Sequence, residues 1–368
     1  MSPEPLRPDA SPPDRPLDEG EAPDSGLGKR VLWAVALGLG IYVALALWAD
    51  LGGLSAALRE VPFWAPLAAC ALSLLNYAVR FPRWQRYLQI TGSTVTGWES
   101  LRIYLAGLSL TVSPGKVGEA MKAWLLREAD GTPIARSAPI VLAERVTDLL
   151  GFLVLIAISS SSTDHVWITG ATVGLSLFVL VVVGSERIGR LIGRTARRFP
   201  PAIATRAERL EETLDAARRL LAPKELPLAT ALAAIGWFLE CVGCWIIATA
   251  VLHAGDGAMD ALVPHAVPEL GLMAVTYAFA VAAVGGALVF ISPAGLLVTE
   301  GLLTSILERG YLAGGFAVQA ARSKALAVTL VTRLCTLWFA MGVGLIALQI
   351  HRRLRAARLR EVPAETGG

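Results

Sequence analysis

Two short stretches of this sequence place charged side chains just after residues that interrupt an apolar helix. The stretch 113–116 reads Ser-Pro-Gly-Lys and precedes Glu119, and the stretch 292–295 reads Ser-Pro-Ala-Gly and precedes Glu300. A helix that restarts after such a break exposes amide groups that carry about half a positive charge through the helix dipole. The sequence therefore predicts two helix ends suited to an anion.

The residues around the two breaks have distinct predicted roles. Ser113 and Ser292 cap the restarting helices, and the glycines allow the backbone or a ligand to come close. Lys116 adds a positive charge beside the first break. The predicted binding residues at the breaks are Ser113, Gly115, Lys116, Gly118, Glu119, Ser292, Gly295 and Glu300.

Further charges lie inside apolar segments. Arg145 follows Glu144 and precedes Asp148 by three residues, which is the spacing of an i,i+3 ion pair. These three residues fit a ligand site and a structural ion cluster equally well. Arg333 has no acid in its own stretch, so we expect it to pair with the acid at one of the breaks or to bind a ligand. Guanidinium forks combined with helix ends are suited to a phosphate group.

Other charged residues have simpler interpretations. Arg80, Arg83 and Arg86 follow an apolar run and are expected to anchor a helix end at the membrane interface. Lys122 is expected at the cytoplasmic mouth, and Glu240 as a packing acid with a partner on another helix.

Composition indicates which elements hold these residues. The chain has 368 residues, of which 54% are hydrophobic and 17% charged, whereas a soluble domain has about a quarter charged residues. Residues 270–299 form a run of 30 without a charge, and a bilayer core needs about 20 apolar residues per helix. We predict an all-α, polytopic helical membrane protein. Six spans are predicted near 31–49, 63–85, 136–159, 166–184, 228–252 and 318–349, with re-entrant broken hairpins near 99–128 and 270–308.

Basic residues set the predicted orientation, because they accumulate on the cytoplasmic side. Residues 1–30 hold seven Pro and seven acids and are predicted to be a disordered cytoplasmic tail. The membrane domain covers 31–350, and the basic tail 351–368 is also cytoplasmic. Residues 185–226 form a cytoplasmic linker with ten Lys or Arg. We expect its amphipathic helix, with Leu210, Leu214 and Leu221, to lie on the membrane surface.

The two broken hairpins belong to a predicted internal repeat. Repeat 1 covers about 61–160 and repeat 2 about 227–350, and each runs span, broken hairpin, span with an arginine. The topology inverts one repeat relative to the other. Inverted repeats with discontinuous helices are typical of secondary transporters, whose substrate site lies between the repeats near the midplane.

Enzyme signatures are weak. The four His residues fall in predicted loops or at a helix end, and the pair Cys241 and Cys244 is expected to pack rather than to bind metal. We predict no catalytic residue, no metal site, no cofactor and no nucleic-acid partner.

The stretches SPGKVGE (113–119), AERVTDLLG (143–151) and SPAG with TEG (292–301) resemble the lysylphosphatidylglycerol synthase transmembrane-region family of flippase-like membrane proteins. The resemblance covers about 61–350 and implies a bacterial inner-membrane protein with re-entrant helices. Longer relatives carry a cytosolic domain that transfers an aminoacyl group to phosphatidylglycerol. Only 18 residues follow Ile350, so we do not expect that activity here.

The functional expectation is a flippase-like transporter of an anionic phospholipid or lipid-linked amphiphile. Its head group would bind between the half-helix ends while the acyl chains stay in the bilayer. Two alternatives remain open: a membrane enzyme or subunit that modifies lipid head groups, and a scaffold for lipid-synthesis enzymes. The sequence does not indicate the lipid, the direction of transport, the energy source or the oligomeric state.

Overall fold

The computed structural model describes residues 51–111, 117–160, 213–253, 267–288 and 295–361, with isolated positions between 36 and 43 and between 167 and 185. Within these residues the chain is helical and contains no strand. The helices are α1 (Leu51–Glu60), α2 (Trp64–Thr91), α3 (Gly97–Ala106), α4 (Val117–Asp130), α5 (Ile134–Ser159), α6 (Leu226–Leu252), α7 (Leu272–Leu288), α8 (Val298–Ala313), α9 (Val318–Arg333) and α10 (Phe339–Glu361). The all-α prediction is confirmed for this part of the chain.

Helices α2 and α6 form the most extensive pair in the fold. Small residues bring their backbones together, since the position of a Cβ on Gly243 would lie 3.2 Å from the Cβ of Ala69. Close approach through small residues is the usual way for apolar helices to pack where lipid surrounds them. Helix α5 packs on α6 at Gly151, where an added Cβ would lie 2.9 Å from the amide nitrogen of Ala234.

Two helical hairpins pack around this centre. The first runs through α3 and a 3-10 turn (Gly107–Leu110) into α4, and the second runs from α7 into α8. Helix α10 lies against α3 and that turn, whereas α5 lies against α7. The closing helix of each half of the chain therefore packs on the hairpin of the other half.

Backbone geometry shows why the second hairpin bends sharply. Gly295 has φ +69°, and an added Cβ there would lie 2.8 Å from the backbone of Gly286 on the facing arm. Leu297, just before α8, has φ +74°, which is unusual for a side chain of this size. Gly295 is thus required both by its dihedral angle and by the approach of the two arms.

Two described helices are long and apolar enough to cross a membrane, Leu226–Leu252 and Val318–Ala357. A third counts if Leu51–Glu60 and Trp64–Thr91, which meet at 77°, form one bent span. Helix α5 has sufficient length but carries three clustered charges, at 144, 145 and 148, and is not among these candidate spans. The predicted spans 31–49 and 166–184 fall largely outside the described residues, so the six-span arrangement stays a prediction.

The linker helix differs from expectation. In its described part, residues 213–220, the apolar side chains Leu214, Ala217 and Leu220 are buried against protein. Leu214 packs with Val146 of α5. The expectation that this apolar face rests on the membrane surface is therefore wrong for these residues, because the helix uses the face to dock onto the helical domain.

Candidate functional site

The carboxylate of Asp148 lies at the centre of a buried ion cluster between α2 and α5. Arg80 donates from Nη2 to both oxygens of Asp148, at 2.8 and 2.6 Å. Arg83 donates from Nη1 to Oδ1 of Asp148 at 2.9 Å and to the hydroxyl of Thr147 at 2.8 Å. One acid thus holds two cations.

A second ion pair extends this cluster toward the first hairpin. Lys122 of α4 donates to Glu144 of α5 at 2.9 Å, and both side chains are nearly buried. The ammonium group also lies 4.8 Å from the ring centre of Trp84 and 4.9 Å from that of Tyr104. Aromatic faces stabilise a desolvated cation by about 2 kcal/mol. Gly107 leaves room for this lysine, because a Cβ there would overlap the Lys122 side chain.

Helix α6 contributes an acid to the same interior. Glu240 accepts a hydrogen bond from Nδ2 of Asn76 at 2.6 Å, and the guanidinium of Arg80 lies 4.7 Å from the ring centre of Trp237. Glu240 also lies within electrostatic reach of both Arg80 and Arg333. It therefore connects the cluster on α2 and α5 with the second half of the chain.

The second half contains a simpler charged site. Arg333 at the end of α9 donates from Nε to Oε1 of Glu300 at 2.7 Å. Glu300 is fully buried in the first turn of α8, and its Oε2 has no hydrogen-bond partner among the described residues. A π-helical turn, Leu334–Trp338, follows Arg333 directly. Such turns are common at functional sites. Glu300 is one of the partners predicted for Arg333, and the structure places these two side chains together. The side chain of Glu119, the other predicted acid, is not described.

Arg145 occupies a different position from its predicted counterpart Arg333. Its side chain is 47% exposed, and its Nη1 lies 3.9 Å from Oδ2 of Asp148. The i,i+3 pair predicted from the sequence is thus present but long. Arg145 lies on the open side of the cluster, where a ligand can approach it.

The remaining predicted residues are only partly described. Ser113, Gly115, Lys116 and Ser292 lie outside the described residues. Gly118 and Glu119 fall in the first turn of α4, and nothing is described of their side chains. Gly295 is buried at the second break, next to the first turn of α8. The structure therefore joins Glu144, Arg145 and Asp148 in one cluster and Glu300 with Arg333 in another.

Sequence reasoning missed several members of the first cluster. Arg80 and Arg83 are not interface anchors, because Arg83 is 2% exposed and both guanidinium groups bind Asp148. Lys122 is likewise buried, not placed at an open mouth. The available signal was the spacing of Tyr77, Arg80 and Trp84, which share one face of α2 at intervals of three and four residues.

Arg86 differs from Arg80 and Arg83 in its exposure, and its predicted role at the membrane interface stays a prediction. Its side chain is 48% exposed and donates from Nη2 to Oε1 of Glu225 at 2.6 Å, at the start of α6. This hydrogen bond lowers the pKa of Glu225. Arg86 thus ties two helix ends together outside the charged interior.

Two expectations about cysteine and packing residues can be compared with the structure. Cys241 and Cys244 are both buried, unpaired thiols in the core around α6, as expected of packing residues. Glu240 has the interhelical partner that was predicted for it, in Asn76. Within the part of the chain that is described, no group of three or more His, Cys, Asp or Glu residues is arranged to hold a metal ion.

Comparison with known proteins identifies one family. The model of the lysylphosphatidylglycerol synthase TM region matches residues 35–344. This range contains both hairpins and both charged clusters. No curated protein matches the chain.

Proposed function

The chain belongs to the lysylphosphatidylglycerol synthase transmembrane-region family, and from this premise we propose that it is a flippase-like transporter of an anionic lipid or lipid-linked amphiphile. The family supports a membrane protein concerned with lipid head groups. The proposal adds that this chain moves the lipid between leaflets. It would do so in a bacterial inner membrane, with both termini in the cytoplasm.

The charge balance of the first cluster carries the proposal. Among the described residues, its interior cations are Arg80, Arg83 and Lys122, its acids are Glu144, Asp148 and Glu240, and the half-exposed Arg145 adds a fourth cation. The three interior cations are matched in number by the three acids, as buried charges require. The additional positive charge therefore lies with Arg145 at the exposed edge of the cluster, where it favours an anionic guest. A phosphate group matches this need, because guanidinium forks bind its oxygens in pairs.

Unused hydrogen-bond donors support the same ligand class. The Nε atoms of Arg80 and Arg83 and the indole nitrogen of Trp237 are buried and have no acceptor among the described residues. A buried donor without an acceptor costs about 1–3 kcal/mol. Phosphate oxygens offer several acceptors at once, so an anionic head group would relieve several of these costs together.

The packing of the two halves supports an inverted repeat as part of the proposal. Helix α2 opens the first unit and α6 opens the second, and these two helices form the main pair. Each closing helix packs on the opposite hairpin, α5 on α7 and α10 on α3. Such reciprocal packing is what a two-fold relation between repeats produces, and it places the substrate between them.

A transport mechanism follows from the ion pairs. Head-group binding at Arg145 and the cluster behind it would compete with Asp148 and Glu144 for their cations. Loosening those pairs would weaken the contacts that α2 and α4 make with α5. The site would then open toward the other leaflet through rocking of one repeat against the other, with Glu240 retaining the link to Arg333.

Transbilayer movement of fluorescent phosphatidylglycerol in proteoliposomes tests this proposal. Arg80→Lys keeps the charge but removes the two-point grip on Asp148, and Arg86→Lys is the matched control at an exposed position on the same helix. We expect Arg80→Lys to slow movement at least tenfold and Arg86→Lys to stay within twofold of the wild type. Monodisperse elution and thermal unfolding in detergent would verify folding of both variants.

Two outcomes would overturn the proposal. One is a wild-type protein that moves phosphatidylglycerol no faster than protein-free vesicles. The other is equal slowing by Arg80→Lys and Arg86→Lys. Conversion of the lipid to a new product by purified protein would instead favour the head-group modification alternative.

The proposed inversion has its own test. Single cysteines are introduced at Arg127 of the first hairpin and Leu312 of the second, both exposed in the structure, in a background lacking the native cysteines. Inversion predicts that a membrane-impermeant maleimide labels these two sites from opposite sides of the bilayer. Labelling of both from one side would rule it out.

A further inference from the structure

A cavity of about 540 Å³ lies away from the buried ion cluster, where the linker helix docks onto the ends of α2 and α5. Ile90 and Thr91 come from the last turn of α2, and Pro133, Arg136 and Pro139 from the beginning of α5. The linker helix completes the cavity. Its lining residues there are Ala216, Arg219 and Leu220.

The two arginines of this cavity differ from their neighbours. Within the described part of the chain, the guanidinium groups of Arg136 and Arg219 have no hydrogen bond or ion pair. By contrast, Arg218 pairs with Asp215 and donates to the carbonyl of Ser185 at 3.0 Å, and Arg86 pairs with Glu225. No acid is among the described residues that line the cavity. Two cations thus face the cavity without a counter-charge.

The position of Arg136 strengthens this observation. It lies in the first turn of α5, where the helix dipole already places partial positive charge. A cation at that position is unfavourable by a few tenths to about 1 kcal/mol, unless an anion lies near it. Apart from Thr91, the remaining lining is apolar, from proline, isoleucine, leucine and alanine side chains.

We propose that this cavity is a second, peripheral site that binds the phosphate group of an amphiphile. The two guanidinium groups would hold the phosphate, and the apolar wall would contact the adjoining glycerol or hydrocarbon segment. The site does not use Arg80, Arg83, Lys122 or Arg145, so its existence is independent of the proposed transport function. The same chemistry would accept a lipid head group or a free phosphate compound.

The experiment is lipid titration of the purified full chain, followed by native mass spectrometry. The probes are dihexanoyl phosphatidylglycerol, dihexanoyl phosphatidylcholine as a zwitterionic lipid of equal chain length, and inorganic pyrophosphate. The test variant combines Arg136→Gln with Arg219→Gln, both at exposed positions. Arg218→Gln is the matched control, because it removes a neighbouring arginine that does not line the cavity.

A variant that changes shape without changing charge separates the cavity from general surface electrostatics. Ala216→Phe fills the space between the arginines and leaves both in place. We expect the double glutamine variant and Ala216→Phe each to weaken the binding of one phosphatidylglycerol molecule per chain at least tenfold, while binding at the central cluster is retained. Arg218→Gln is expected to stay within twofold, and phosphatidylcholine binding to change little in any variant.

The results show which kind of ligand the cavity binds, and they also show whether the proposal fails. Tighter binding of phosphatidylglycerol than of pyrophosphate assigns the site to a lipid, and the reverse assigns it to a free phosphate compound. Equal losses in Arg218→Gln and the double variant, or wild-type binding by Ala216→Phe, would overturn the proposal. Because Arg80→Lys leaves this cavity intact, peripheral binding should persist in that variant even if transport fails.

Discussion

The two charged regions of this molecule solve the burial of an arginine in different ways. In the first region, Asp148 holds Arg80 and Arg83 together, and Lys122 with Glu144 adds a second pair. In the second, Arg333 pairs with Glu300. The first region is a network that spans four helices, whereas the second is a pair between adjacent helices of one half.

This difference has an energetic consequence. A buried pair can be removed as a unit at little net cost, because its attraction scarcely exceeds the desolvation of its members. A network in which one acid serves two cations cannot be removed two residues at a time, since a charge is always left behind. The first region therefore ties the fold to its own charge balance, whereas Glu300 and Arg333 form one close pair that reaches the first region through Glu240.

The largest expected effect is that of Asp148→Ala. This change leaves both Arg80 and Arg83 without their shared carboxylate, and removing one partner of a buried pair costs about 3–5 kcal/mol. We expect a loss of about 5 kcal/mol, seen as unfolding of most of the protein in mild detergent. Near-normal thermal unfolding would show that these cations need no acid.

Glu300→Gln is expected to cost less, about 3 kcal/mol, because only Arg333 loses its counter-charge and the amide oxygen still accepts a hydrogen bond. The same thermal unfolding measurement applies to both variants. If the two substitutions destabilise the protein equally, the network and the pair do not differ in how much a lost acid costs in stability.

Replacing both members of the second pair sharpens the comparison. The double variant Glu300→Leu with Arg333→Met should regain stability to within about 1 kcal/mol of the wild type, because apolar residues of similar size replace a buried pair with little loss. Arg80→Met with Asp148→Leu should not recover, since Arg83 then lacks its acid. Equal recovery in both double variants would contradict the network interpretation.

The hairpins offer a smaller contrast. Gly295→Ala forces a left-handed backbone and presses a methyl group on the backbone of Gly286, so we expect a loss of about 2 kcal/mol. Gly107→Ala meets the flexible Lys122 side chain instead, and we expect about 1 kcal/mol together with slower lipid movement. Unfolding curves in detergent compare the two variants, and the transport assay shows whether displacement of Lys122 is felt at the site.

A similarly small effect is expected outside both regions, at Asp130, the last residue of α4. Burial opposes ionisation there, but hydrogen bonds from Ser93, Thr132 and Thr94 prevail and lower its pKa to about 2. Because the folded pKa lies below the unfolded value of 3.8, this stabilisation is present above about pH 4 and is lost as the pH falls toward 2.

Asp130→Asn should therefore cost about 1 kcal/mol at pH 6, allowing for solvent screening of this partly exposed group. The cost should shrink on approach to pH 2. Chemical unfolding of wild type and variant at pH 6 and pH 3 measures it, and a pH-independent difference would exclude the carboxylate as its origin.

Much of the fold was predictable from local patterns. The span predicted at 228–252 agrees with α6 (Leu226–Leu252), and each predicted hairpin range holds two described helices, α3 with α4 and α7 with α8. Their re-entry into the membrane stays a prediction. These features follow from apolar run length and from helix-breaking residues, which act within a few positions along the chain. The pairing of Arg333 with Glu300 was one of the alternatives predicted, because Arg333 has no acid in its own stretch of sequence.

The first cluster could not be predicted from local sequence patterns. Arg80 and Arg83 follow a hydrophobic run, and that pattern alone is typical of interface anchors. Their burial depends on α5 presenting Asp148 to them across 65 to 68 positions of sequence. Likewise, the amphipathic spacing of the linker helix is the same whether the face with Leu214 contacts lipid or, as in the structure, Val146.

The sequence by itself determined that this is a helical membrane protein with more ionisable groups than lipid would tolerate, and it predicted two interrupted hairpins. Only the tertiary structure decided which charges meet, because partners such as Lys122 with Glu144, or Glu240 with Asn76, lie on different helices. Helix periodicity sets which residues share a face, but the rotation and depth of each helix depend on packing against all the others. For this reason the helices could be predicted from the sequence, whereas the pairing of charges in the ion network required the tertiary structure.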